Sequence, residues 1–81
     1  MAHDLFVEEG DYFAFCHVDE KDDGTWMAWI NFERKADHNA QLARIPGMRH
    51  ALKDSFPSES AARTACVAYA QQVVAAGDVG L

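Results

Sequence analysis

Three features of the chain predict an α+β fold: a three-stranded antiparallel sheet with one C-terminal helix packed on a face, in the order β-β-β-α. Two stretches rich in aromatic and β-branched residues flank an Asp23-Gly24 pair, the mark of a β-hairpin. A turn signal at Pro46-Gly47 precedes a third stretch of alternating character. An Ala-rich segment follows, with a capping Ser58 before it and Gly77 after it. At 81 residues the chain is expected to form one domain over 1–81. A domain of that size buries only about 60–65% of its unfolded surface, so its stability margin is thin.

Residues 1–10 carry several charges and read as a flexible lead-in, with Leu5-Phe6-Val7 available to dock on the core. The hairpin follows over 11–33, with Asp11 to Val18 in its first strand and Thr25 to Glu33 in its second. A three-residue loop Asp22-Asp23-Gly24 would pair Val18 with Ala28, Cys16 with Ile30 and Ala14 with Phe32, making one wholly apolar face. A two-residue Asp23-Gly24 turn would instead group Phe15 and His17 with Phe32 and Ile30; packing favours the first register. Residues 34–47 read as a loop in which Ala36 to Ala43 could form a short helical turn. Over 48–56, Met48, His50, Leu52, Asp54 and Phe56 alternate with Arg49, Ala51, Lys53 and Ser55, which suits a third strand, with a short helix after Pro46 as the competitor. The helix is expected over 58–76, with Ala62, Cys66, Tyr69, Val73 and Ala76 on one stripe, flanked by Ala65, Ala70 and Val74. Residues 77–81 are left as a tail.

Composition narrows the function. Hydrophobic residues make up 49% and charged residues 25%, an ordinary globular balance that argues against disorder. No apolar run approaches the ~20 residues of a membrane span, so no membrane association is expected. The start, Met1-Ala2-His3-Asp4, lacks a basic and then apolar secretory pattern, and the chain is expected in the cytoplasm. Two cysteines, Cys16 and Cys66, are then expected to be reduced. Net charge is −6, which disfavours nucleic acid, because phosphate binding needs a positive footprint. The charge is uneven, however: residues 1–33 carry a net −8 and residues 34–53 a net +4.

The Phe56-Pro57-Ser58 entry into Ala62, Ala65, Tyr69, Ala70 and Val73 resembles the C-terminal half of short hypothetical bacterial proteins of Burkholderia and related β-proteobacteria. That likeness spans about residues 11–76 and implies no activity. The order of a strand pair, Pro46-Gly47 and a helix capped at Ser58 is also similar to the antitoxin domain of HicB-type toxin–antitoxin pairs. This chain has no Pro-Asp pair before Pro46-Gly47, and it has a long basic insertion ahead of that turn. The second likeness would imply a regulator that neutralises a basic partner through its acidic face.

No arrangement of residues spells out an enzyme, and none is expected. Aligned from Asp19 as an EF-hand loop, the chain has Lys21 and Ile30 where calcium ligands belong, so the acidic tip reads as a solvated turn. Cys16 and His17 are strand neighbours and point to opposite faces. Cys16 and Cys66 both fall on core faces, where thiols are usually inert. His3, His17, His38 and His50 lack ligand spacing, and no metal or cofactor is expected. The feature that points outward is Phe13, Phe15, His17, Met27 and Trp29, an aromatic patch on the sheet face away from the helix. Either it binds a protein partner or a second copy, or residues 5–7 or 34–47 fold across and cover it. Arg34, Lys35, Arg44, Arg49 and Lys53 form a basic segment that could face an anion, stay solvated, or pair with the chain's own acids.

Overall fold

A computed structural model describes residues 2–81. Its sheet has four antiparallel strands in sequential order, β1 (Ala2–Glu9), β2 (Tyr12–Glu20), β3 (Trp26–Arg34) and β4 (Gly47–Ala51). A short helix α1 (Lys35–Asn39) joins β3 to β4, and α2 (Glu59–Ala76) crosses β1, β2 and β3 on one face.

The expected α+β class and the C-terminal helix are present; the strand count is four, where three were expected. The extra strand is the stretch read as a flexible lead-in, whose Met1 lies outside the described residues, as does the side chain of His3. β1 pairs with β2 along its whole length, from Ala2–Asp19 to Glu9–Tyr12. The turn between them is Gly10-Asp11, with Gly10 at φ 55°, the arrangement of a two-residue hairpin with glycine first. Leu5 and Val7 pack against the core while Phe6 stands half-exposed on the other side. That single large apolar residue among Asp4 and Glu8 masks the alternation that marks an edge strand.

The β2–β3 register has the pairs that a three-residue loop requires, Val18–Ala28, Cys16–Ile30 and Ala14–Phe32. Lys21 and Thr25 close that loop, the Lys21 N–H donating to the Thr25 carbonyl at 2.7 Å. These six side chains form the inner layer of the core, and Ala62, Cys66, Ala70 and Val73 of α2 lie against them. Small residues on the helix stripe let its backbone approach the sheet closely. The stripe ends at Val73; Ala76, expected on it, is exposed. Ser58 caps the helix by accepting the Ala61 N–H at 3.1 Å, and Gly77 ends it in the left-handed conformation at φ 74°.

Two further segments depart from expectation. The third strand, expected over 48–56, stops at Ala51; the chain then bulges and touches β3 once more through a Trp26–Phe56 bridge. Unbroken alternation would carry Asp54 onto the core face beside His50 and Leu52. The bulge leaves Asp54 exposed and still turns Leu52 and Phe56 inward, sparing a buried carboxylate. The tail is likewise part of the core: Val79 is fully buried and Leu81 packs beside it. His50 holds it, with Nε2 2.8 Å from the Val79 carbonyl and Nδ1 2.8 Å from the Tyr69 hydroxyl.

Candidate functional site

Because side chains alternate along a strand, the same register that buries one face assembles the other. Three rows run across it: Asp4, His17, Trp29 and Ala51; then Phe6, Phe15, Asn31 and Arg49; then Glu8, Phe13, Glu33 and Gly47. Met27 stands beside the first row, level with Asp19. α2 lies on the opposite side, so only the short α1 approaches this face, at its Glu33 end.

All five residues expected in the aromatic patch, Phe13, Phe15, His17, Met27 and Trp29, lie on this face. The structure adds Phe6, whose ring centre is 5.5 Å from Phe13 and 5.3 Å from Phe15. Phe6 is 53% exposed and Met27 41%. His17 stacks on Trp29 at 5.6 Å with the ring planes 22° apart, and its Nδ1 lies 2.7 Å from the Asp4 carboxylate. The imidazole therefore donates Nδ1–H to Asp4 while its face rests on the indole. Residues 5–7 do not fold across the patch; they extend it by one strand.

The far end is partly closed. His38 of α1 sets its ring edge-on to Phe13 at 4.9 Å, and its Nε2 lies 2.8 Å from Glu33. Asn31 donates to the other Glu33 oxygen at 3.1 Å. Lys35 reaches over the Phe13 ring and lies 3.6 Å from Glu8. The open area is thus the half containing Phe6, Phe15, His17, Met27 and Trp29.

The basic segment is not brought together. Arg34 pairs with Asp37 at 3.0 Å and Lys35 with Glu8, while Arg44 is exposed in the loop before β4. Lys53 borders a hollow of about 410 Å³ between β4 and α2, lined by Leu52, Phe56 and Tyr69. Two of the five reach the aromatic face at separate points: Lys35 over Phe13 at its closed end, and Arg49, its guanidinium 4.9 Å above the centre of the Trp29 ring.

The chemistry within reach is limited. Cys16 and Cys66 lie on the core side, both fully buried and free, within hydrogen-bonding distance of each other. The hydrogen bond with Cys16, together with burial, pushes the Cys66 thiol far above its ordinary pKa. Asp23 moves the other way: the Thr25 hydroxyl donates to its carboxylate at 2.6 Å and the Thr25 N–H at 3.0 Å, holding it below the usual range. Among the described residues no three His, Cys, Asp or Glu side chains converge as metal ligands would. No helix among them is long and apolar enough to cross a membrane. What the open face offers is contact: flat rings bordered by Asp4, Glu8 and Arg49.

Comparison with known proteins finds no matching family model, no matching curated protein and no matching solved structure. Sequence reasoning missed Phe6, Asp4 and the position of Arg49. The available signal for the first two was Gly10-Asp11, a turn pair between two stretches of strand-like residues. Nothing in the local sequence around Arg49 shows that it stacks on Trp29, since that contact depends on the β3–β4 register.

Proposed function

We propose that this chain is a small non-enzymatic module that binds protein through the aromatic open face of its sheet. The observation that carries this reading is the exposure of Phe6 and Met27 beside Phe15, His17 and Trp29, on the part of the face that neither helix covers. Contiguous apolar surface with a polar rim is typical of contact sites, and Trp with Arg stacked on it is a frequent anchor. The net charge of −6 weighs against nucleic acid as the ligand, although stacked rings on a sheet would otherwise suit bases.

The test is binding by the immobilised chain, with Phe6→Asp and Trp29→Ala as face variants and Lys53→Glu as a control on the helix side. The face variants are expected to abolish capture of a protein partner, or of a second copy, while the control retains it. Capture that survives both face variants in folded protein would refute the reading.

A further inference from the structure

The open face carries its charges in a pattern that selects one occupant. Its β1 edge is acidic at the open end, where exposed Asp4 lies beside Phe6; Glu8, on the other side of Phe6, is already met by Lys35 at 3.6 Å. Its β4 edge holds one cation, Arg49, level with Phe6 in the same row and exposed. A surface that is acidic along one edge and basic along the other can complement itself.

Resting on the binding-face reading above, we infer that the partner is a second copy of this chain, packed face to face about a two-fold axis parallel to the strands. That axis carries β1 of one copy over β4 of the other, and β2 over β3. Asp4 and Glu8 then flank the partner's Arg49, and Phe6 lies against its guanidinium. Phe15, His17 and Trp29 meet across the centre. A two-fold axis running across the strands instead lays β1 on β1. Centred on the Phe6 row, it opposes Asp4 to the partner's Glu8 and Arg49 to the partner's Arg49, repulsions that cost several kcal/mol. Either axis keeps the strands of the two faces aligned, as packed sheets require, so the charges decide between them.

The area agrees with a modest affinity. Three strands of eight or nine residues and one of five cover roughly 450 Å² per copy, part of it under α1. Two such faces fall short of the roughly 1,000 Å² of a stable specific interface, so the dimer is a weak one that forms toward the high micromolar range. α1 closes the Glu33 end, which centres the contact on the Phe15 and Trp29 half. A dimer also gives a thin domain a second core layer, because Phe6, Phe13, Phe15 and Trp29 all lie outside the present one.

The experiment is light scattering across the micromolar range on the wild-type chain, on Arg49→Glu, on Asp4→Lys, and on an equal mixture of the two variants. The wild type is expected to dimerise, and each variant to do so at least about tenfold more weakly. The mixture is expected to recover dimers, because in a mixed pair one contact is native and the other is charge-reversed. A wild-type chain that stays monomeric overturns the inference; the binding-face reading survives that result if another protein binds and Phe6→Asp abolishes the binding. A dimer that neither charge variant weakens, or a mixture that fails to recover, overturns the proposed axis and with it the inference. A dimer that also survives Phe6→Asp and Trp29→Ala removes both readings at once.

Discussion

His50 shows at the scale of one residue why a histidine without ligand spacing is still placed with care. Its Nε2 faces a carbonyl, which can only accept, so that nitrogen carries the proton and Nδ1 accepts from the Tyr69 hydroxyl. One imidazole thus ties β4, α2 and the C-terminal tail together. His50→Ala would leave a hydroxyl and a carbonyl without partners beside Phe32. It is expected to cost about 1–3 kcal/mol in urea unfolding, with early loss of amide protection at Val79. Asp23 makes a pH prediction. Its folded pKa is depressed by the two hydrogen bonds from Thr25, so its contribution is present above the unfolded value of about 3.9 and is lost as pH falls through the folded value. Carboxyl NMR titration is expected to show Asp23 below the ordinary aspartate range, and Thr25→Val to move it upward. The thiol pair predicts inertness through burial: both cysteines are fully enclosed, so neither should react with a thiol reagent faster than the chain unfolds, although the hydrogen bond with Cys66 holds Cys16 below its ordinary pKa.

At the scale of elements, α2 is held at both ends by local chemistry. Ser58→Ala removes the acceptor for the Ala61 N–H and is expected to lower stability by about 1 kcal/mol in thermal or urea melts. Gly77→Ala meets no steric contact, yet forces a side chain into a left-handed conformation, at a similar cost of about 1 kcal/mol. β1 is different, because it is held by pairing and packing. Deleting residues 1–9 would expose the full edge of β2 and uncover the core beside Leu5 and Val7. An exposed edge next to apolar surface recruits other chains, so the truncated protein is expected to aggregate in sedimentation, a result a flexible lead-in would not give.

At the scale of the whole molecule, the fold is two layers, a sheet and one helix, with a single thin core between them. The most buried positions belong to β2, β3 and the middle of α2. Amide exchange is therefore expected to be slowest there and faster in β1, in α1 and in the segment after β4. If the second copy sits on the open face, melting temperature rises with protein concentration, and Arg49→Glu shifts that rise to higher concentration, with a small drop in the low-concentration value from the lost stack on Trp29.

The hairpin of β2 and β3 and the helix α2 were legible because each is specified within its own residues. Asp22-Asp23-Gly24 sets the loop, the loop sets the register, and the register sends Ala14, Cys16 and Val18 one way and Phe13, Phe15 and His17 the other. Ser58 and Gly77 bound the helix by the same local logic. What needed tertiary structure is what depends on partners distant in sequence. β1 is fixed as a strand by the edge that β2 offers it, since only the short run Leu5-Phe6-Val7 of its own residues favours one. β4 ends early because continuing would bury Asp54, and the tail is core because His50 and Tyr69 lie across the molecule to hold it. The aromatic residues of the candidate site could be read in advance, but not its charged borders. Local alternation decides which face a side chain takes; only the order of strands in the sheet sets Asp4 and Glu8 on one edge and Arg49 on the other.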